Sequence, residues 1–206
     1  MAITQYVIVA VLAYLIGSLS GSLIIGPILG RDDPRNGGSH NAGATNALRT
    51  GGALYGALVL AFDGLKGVVA VIALPLLVAV GPPAGMIAGA AAVIGHLYPV
   101  FFGFRGGKGF ATVLGALIAG LPLTLVVVAV VFAATLVTSG YVGLATVLSM
   151  WGVMVFCAAA PFYGLAAKLF TLAMSLVITY THRGNIQRTW QGTEHRFDKA
   201  MWRPSR

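Results

Sequence analysis

Long apolar runs separated by short polar ones set the pattern of this chain. Apolar segments cover 3–29, 53–80, 84–102, 110–138, 141–160 and 162–181. No Asp, Glu, Lys or Arg precedes Arg31, and none falls in the 59 residues between Lys108 and Lys168. Uncharged apolar runs above about 18 residues read as transmembrane helices. The even polar/apolar alternation of a membrane barrel is missing. The pattern predicts an all-α, polytopic membrane protein.

Polar character concentrates in 31–52, 103–109 and 182–206, which hold 11 of the 13 Lys and Arg residues. The positive-inside rule puts all three on the cytoplasmic side. Helix one then runs from outside to inside. The next two form a hairpin that turns outside at Gly81-Pro82-Pro83. An even number of crossings must join Lys108 to His182, yet counting 110–138 as one helix gives three. Gly120-Leu121-Pro122 supplies a break, because a proline inside a helix removes a backbone bond and clashes with the preceding turn. Residues 110–119 then form a short helix or a re-entrant dip, with 121–138 as partner. The expected architecture is about seven transmembrane helices, one short or re-entrant, in a single catalytic domain spanning 1–206. The N-terminus is expected outside and the C-terminus in the cytoplasm. The first apolar stretch lacks a basic leader and is too long for a signal peptide, so it is read as a retained helix. Small-xxx-small spacings at Gly17/Gly21 and Gly85/Gly89 read as close helix packing.

Composition narrows the class. Of 206 residues, 58% are hydrophobic and 9% charged, against about 25% charged in an ordinary globular chain. These values exclude a soluble domain, a disordered chain and a coiled coil. The net charge of +8 would raise nucleic acid for a soluble protein. Here cytoplasmic loops account for it, and no nucleic-acid partner is expected. Cys157 is the single cysteine, so no intramolecular disulfide exists. It also lacks a basic neighbour to activate it.

Each polar segment is dense in groups that suit phosphate. The first, 37–52, carries Ser39, His40, Asn41, Thr45, Asn46 and Arg49 among glycines. Glycines let backbone N–H groups approach an oxyanion, and a guanidinium holds phosphate bidentately. A polar turn with Arg49 as a positive-inside anchor fits the same residues. The second segment, Arg105-Gly106-Gly107-Lys108-Gly109, opens a helix whose N-terminal amides favour an anion. It is not a Walker A loop, since Gly109 stands where Ser or Thr must meet magnesium. The third places His182, a base or hydrogen-bonding group, one helical turn from Asn185. Asp63 and Lys66 lie three apart on one helix and read as a structural ion pair. His96 reads as a helix cap or bridge, and Lys168 as a snorkelling side chain. Nucleophile elbow, zinc spacing and a carboxylate cluster for magnesium are all missing from the sequence.

Taken together, these segments resemble the bacterial acyl-phosphate:glycerol-3-phosphate acyltransferase family of small integral-membrane enzymes. The resemblance rests on Ser39-x-Asn41-x-Gly43-Ala44-Thr45-Asn46-x-x-Arg49, Asp63-x-x-Lys66-Gly67 and Gly95-His96-x-x-Pro99-Val100-Phe101. Gly106-Gly107-Lys108-Gly109-x-Ala111-Thr112, His182-x-x-Asn185-Ile186-x-Arg188 and Gly192-Thr193-Glu194 complete it. His40 departs from the pattern, where a small residue is expected, and so does Thr189-Trp190. Neither departure is expected to abolish activity.

The resemblance implies transfer of a fatty acyl group from acyl phosphate to the 1-hydroxyl of sn-glycerol 3-phosphate. It implies no cofactor, no metal and no obligate protein partner. It places the enzyme in the bacterial inner membrane, with its site facing the cytoplasm. By that resemblance Arg49, Lys108 and the amides of Gly106, Gly107 and Gly109 bind phosphate and stabilise departing charge. Ser39, Asn41, Thr45, Asn46 and Asn185 position glycerol phosphate and the reacting carbonyl. His182 orients the hydroxyl or takes its proton, the substrate phosphate being the alternative base. Two other classes compete: a transporter for a phosphorylated solute and a lipid-binding structural protein. The tail aromatics Trp190, Phe197 and Trp202 are expected at the membrane surface.

Overall fold

The computed structural model describes residues 2–79, 81 and 83–201, and every regular element among them is helical. Val80, Pro82 of the expected outer turn, and Trp202 lie outside the described residues. The chain forms two compact units that meet in sequence after Leu121.

The first unit contains α1 (Ala2–Gly17), α2 (Gly21–Ile28), α3 (Ala44–Gly51), α4 (Ala53–Val78), α5 (Pro83–Leu97) and α6 (Phe110–Gly120). α4 is the hub and touches the other five. Lipid is as apolar as these helices, so their association rests on close packing rather than on burial from water. Small residues make that packing possible. Val9 and Ala13 of α1 meet Ala70 of α4 and Ala84, Ala88 and Ala92 of α5 in a buried cluster. Gly17 leaves no room for a Cβ against the Ala92 backbone, and Gly67 none against the Thr112 carbonyl. Outward-facing Leu54, Leu65, Leu76 and Leu77 are exposed, as a lipid-facing surface requires.

The second unit contains α7 (Thr124–Ser139), α8 (Val142–Ala159), α9 (Leu165–Thr181) and α10 (Arg183–Trp190). α8 packs between α7 and α9, and α10 rests on α8 and α9. Two polar links cross from α8 to α9. Ser175 Oγ donates to the Met150 carbonyl at 2.9 Å, and Trp151 Nε1 donates to Thr179 Oγ1 at 3.0 Å. The tail returns to the α7–α8 turn through Phe197 N–H to the Gly140 carbonyl, 2.8 Å. Trp190 is exposed at the end of α10.

Four stretches among the described residues are long and apolar enough to cross a membrane: Ile3–Ile28, Ala53–Val78, Pro83–Phe102 and Val142–Ala159. α9 and α10, bent by 55° at His182, give a fifth if taken as one span. α6 has 11 residues. At 1.5 Å per residue it reaches about 16 Å, half of a hydrocarbon core of about 30 Å. Helix α6 ends and α7 begins around Leu121-Pro122-Leu123, where proline breaks the longest apolar run. Two features differ from the sequence pattern. The first apolar segment is interrupted at 18–20, and the polar segment 37–52 contains the helix α3.

Candidate active site

Within the first unit, two polar loops meet. Arg35 Nη1 donates to the carbonyls of Phe102 (3.0 Å) and Arg105 (3.3 Å). Its guanidinium is gripped by Asp33, with Nη2 2.6 Å from Oδ2. Those hydrogen bonds hold the Asp33 carboxyl below its ordinary range. The acid therefore stays ionised and the two loops stay stitched.

Asn46 organises the first loop. It is buried. Its Oδ1 accepts the Ser39 N–H at 2.8 Å. Its Nδ2 lies 2.6 Å from the Pro34 carbonyl and 3.0 Å from those of Gly37 and Asn41. One side chain thus ties together the loop that carries Ser39 and Asn41. Gly38 sits at φ +61 against Asn46. His40 also lies in the left-handed region at φ +54, with Nδ1 3.1 Å from the Arg35 carbonyl. A glycine would adopt that backbone without a Cβ penalty. Asn46→Ala is expected to cost about 2–4 kcal/mol, since several buried backbone groups lose their partner; thermal unfolding and protease nicking near 34–46 measure it.

Thr45 is exposed on the first turn of α3, and Ser39 and Asn41 are partly exposed. Arg49 lies in the last turn of the same helix. Its Nε is buried and has no hydrogen-bond partner among the described residues. Such a donor is costly to leave unmade.

The second loop doubles back on the end of α5. Phe104 N–H donates to the Pro99 carbonyl, Gly106 N–H to Leu97 and Gly107 N–H to His96, at 2.9 Å, 3.1 Å and 3.1 Å. The amides of Gly106 and Gly107 therefore serve the loop itself. Gly109 follows at φ +91 as the N-cap of α6, with Lys108 half-buried just before it. The N-terminal amides of a helix carry partial positive charge.

In the second unit, His182 joins α9 to α10 and is buried. Its Nδ1 lies 2.8 Å from the Ile178 carbonyl. A carbonyl only accepts, so Nδ1 carries a hydrogen. Asn185 donates Nδ2 to Glu194 Oε1 at 2.6 Å, and Arg188 Nε donates to Glu194 Oε2 at 2.7 Å. An ionised carboxylate only accepts, which fixes the orientation of the Asn185 amide. Gly143 of α8 makes room, since a Cβ there would come within 2.8 Å of Asn185 Cβ. Sequence alone gives Glu194 no role beyond its place in the Gly192-Thr193-Glu194 motif. Glu194→Ala is expected to reduce activity about tenfold by releasing Asn185, with Glu194→Gln recovering most of it. Steady-state turnover of the two variants checks this.

The fold defines an all-helical integral-membrane protein whose polar segments carry Ser, Asn, Arg and Lys side chains. A family model described as glycerol-3-phosphate acyltransferase matches residues 7–192. The glycerol-3-phosphate acyltransferase of Haemophilus ducreyi is 39% identical over 205 residues, covering 95% of this chain and 96% of that protein. That of Methylococcus capsulatus is 42% identical over 197 residues, covering 89% and 92%. The crystal structure of PlsY (YgiH), an integral membrane glycerol 3-phosphate acyltransferase, is similar in its glycerol 3-phosphate form. It has a TM-score of 0.86 and 36% identity, covering 93% of this chain and 95% of that one. The lysophosphatidic acid form gives 0.84 and 34% identity, covering 93% and 94%. The chain belongs to the glycerol-3-phosphate acyltransferase family.

Proposed function

We propose that this chain transfers a fatty acyl group from an acyl phosphate to the 1-hydroxyl of sn-glycerol 3-phosphate. The hydroxyl oxygen attacks the acyl carbonyl carbon, and the bond from that carbon to the phosphate oxygen breaks. Lysophosphatidic acid and inorganic phosphate leave. An acyl phosphate is already activated, so the enzyme needs to position reactants and stabilise charge rather than supply a nucleophile. The observation that carries this is the buried, unpartnered Nε of Arg49 in a loop organised by Asn46.

Arg49, Lys108 and the start of α6 at Gly109 bind phosphate and stabilise the departing charge. Gly106 and Gly107 shape the loop that presents Lys108. Ser39, Asn41, Thr45 and Asn185 position the glycerol phosphate and the carbonyl, with Asn46 holding Ser39 and Asn41 in place. His182 orients the hydroxyl or takes its proton, the substrate phosphate being the alternative base, and its Nδ1 contact to Ile178 holds the ring in place. The activity is assigned to the whole chain, 1–206, read as a single catalytic domain. Its partners are the two substrates and lipid, with no nucleic acid, metal, cofactor or second chain called upon. The positive-inside rule supports about seven crossings in a bacterial inner membrane, with N-terminus outside and the basic loops facing the cytoplasm.

Phosphate release by purified protein given palmitoyl phosphate, with and without glycerol 3-phosphate, tests this. Release that requires glycerol 3-phosphate and yields lysophosphatidic acid by mass spectrometry is expected. No turnover in a well-folded preparation, with solute uptake into proteoliposomes, would move the assignment to a transporter.

A further inference from the structure

Asp63, Lys66 and His96 come from two different helices and meet in the interior of the first unit, each nearly fully buried. Lys66 Nζ lies 2.9 Å from Asp63 Oδ1 and 2.8 Å from His96 Nδ1. It also donates to the carbonyls of Gly17 and Leu19, both at 2.9 Å. Gly21 N–H donates to Asp63 Oδ1 at 3.2 Å. The interruption between α1 and α2 leaves backbone groups that need partners away from water, and these two side chains supply them. An ion pair at such a position is costly, so a neutral interior would be cheaper if stability alone were at stake.

The far side of the His96 ring faces the second loop. A Cβ on Gly107 would run into His96 Nε2 and come within 2.8 Å of Cε1. The His96 carbonyl also accepts the Gly107 N–H. One residue therefore holds this loop through both ring and backbone, immediately before Lys108. Its ring is in turn held from behind by Lys66.

We infer that Asp63, Lys66 and His96 form a brace that runs from the α1–α2 interruption to the Gly106–Gly107 loop and sets the position of Lys108. They are positioning residues. They act through Lys108, whose assignment to phosphate binding comes from the acyl transfer proposed above, and the inference rests on it.

His96→Asn is the informative variant, because asparagine keeps a partner for Lys66 but removes the ring from Gly107. Hydrogen–deuterium exchange reads the loop directly, since amide exchange follows local opening. Exchange at Gly106 and Gly107 is expected to rise roughly tenfold, with α4 and the body of α5 unchanged. In steady-state assays kcat/KM is expected to fall roughly tenfold, carried by kcat more than by KM, because the displaced group stabilises charge that departs in the transition state. The double variant Asp63→Asn with Lys66→Met removes both charges together, avoids an unpaired buried ion, and is expected to give the same local exchange.

Unchanged exchange at 103–109 in folded His96→Asn would overturn the brace. So would an equal rise along α4 and α5, which would make the cluster a general support of the fold. The exchange measurement does not depend on turnover. A wild-type protein inactive with palmitoyl phosphate would therefore refute the reaction while leaving the brace to be judged on exchange alone.

Discussion

Arg49→Ala is expected to lower kcat/KM for acyl transfer by about 10²–10³-fold, the range seen when a charge-stabilising donor is removed from a reacting centre, with little change in thermal stability. The reason lies in what Arg49 does not do. Its Nε is buried yet has no partner among the described residues. Removing a donor that the folded chain leaves unmade forfeits no internal hydrogen bond. Asn46, three residues earlier on the same helix, is the opposite case, because both ends of its side chain bind backbone. One variant should therefore lose activity and keep its melting temperature, and the other should lose both. Arg49→Lys should rescue little. Lysine has no donor at the Nε position and meets phosphate as a point charge rather than through a planar fork. Phosphate release and thermal unfolding, measured side by side, decide the matter. Full activity in Arg49→Ala would take Arg49 out of the site.

The parts of this fold that the sequence reveals are those with local causes. The helical membrane class follows from runs without charge. The interruption after Gly120 follows from Pro122, whose ring cannot continue a helix. The interruption at 18–20 has only the weaker local signature of Gly17, Ser18, Ser20 and Gly21. The partner that satisfies its carbonyls is distant: Lys66, some 50 residues on, whose ammonium takes those of Gly17 and Leu19. α3 is hidden for a related reason. It is eight residues long, too short to stand without tertiary support, and it is held by packing on α4.

The candidate site shows the same division. The residue types that suit phosphate are visible as a string of Gly, Ser, Asn, Thr and Arg. Which backbone amides remain available is not, because that depends on where the chain folds back. Gly106 and Gly107 look like anion donors in sequence, but the loop returns to α5 and their N–H groups bond to Leu97 and His96. Glu194 likewise gains meaning only once a turn after α10 brings it to Asn185 and Arg188.

Glycine-to-alanine changes in the second loop separate these effects. Gly106→Ala is expected to cut activity about 100-fold, the loss that follows from roughly 1 Å of misplacement at a reacting centre. A Cβ at Gly106 would fall on the His96 carbonyl oxygen, 2.7 Å from Pro99 Cδ and 2.9 Å from the Leu97 carbonyl oxygen. These are backbone and ring atoms at the end of α5, with no flexible side chain to swing aside. The loop must move, breaking the Gly106–Leu97 hydrogen bond and carrying Lys108 with it two residues later. Gly103→Ala, three residues earlier, has a different outcome. Gly103 sits at φ +67, and a methyl group there would meet nothing within 4 Å, so alanine incurs only the left-handed backbone penalty of about 1–2 kcal/mol. That cost falls on stability, and activity should stay within about threefold. If Gly106→Ala instead matched Gly103→Ala in kinetics, the close seat of this loop on α5 would have no part in placing Lys108.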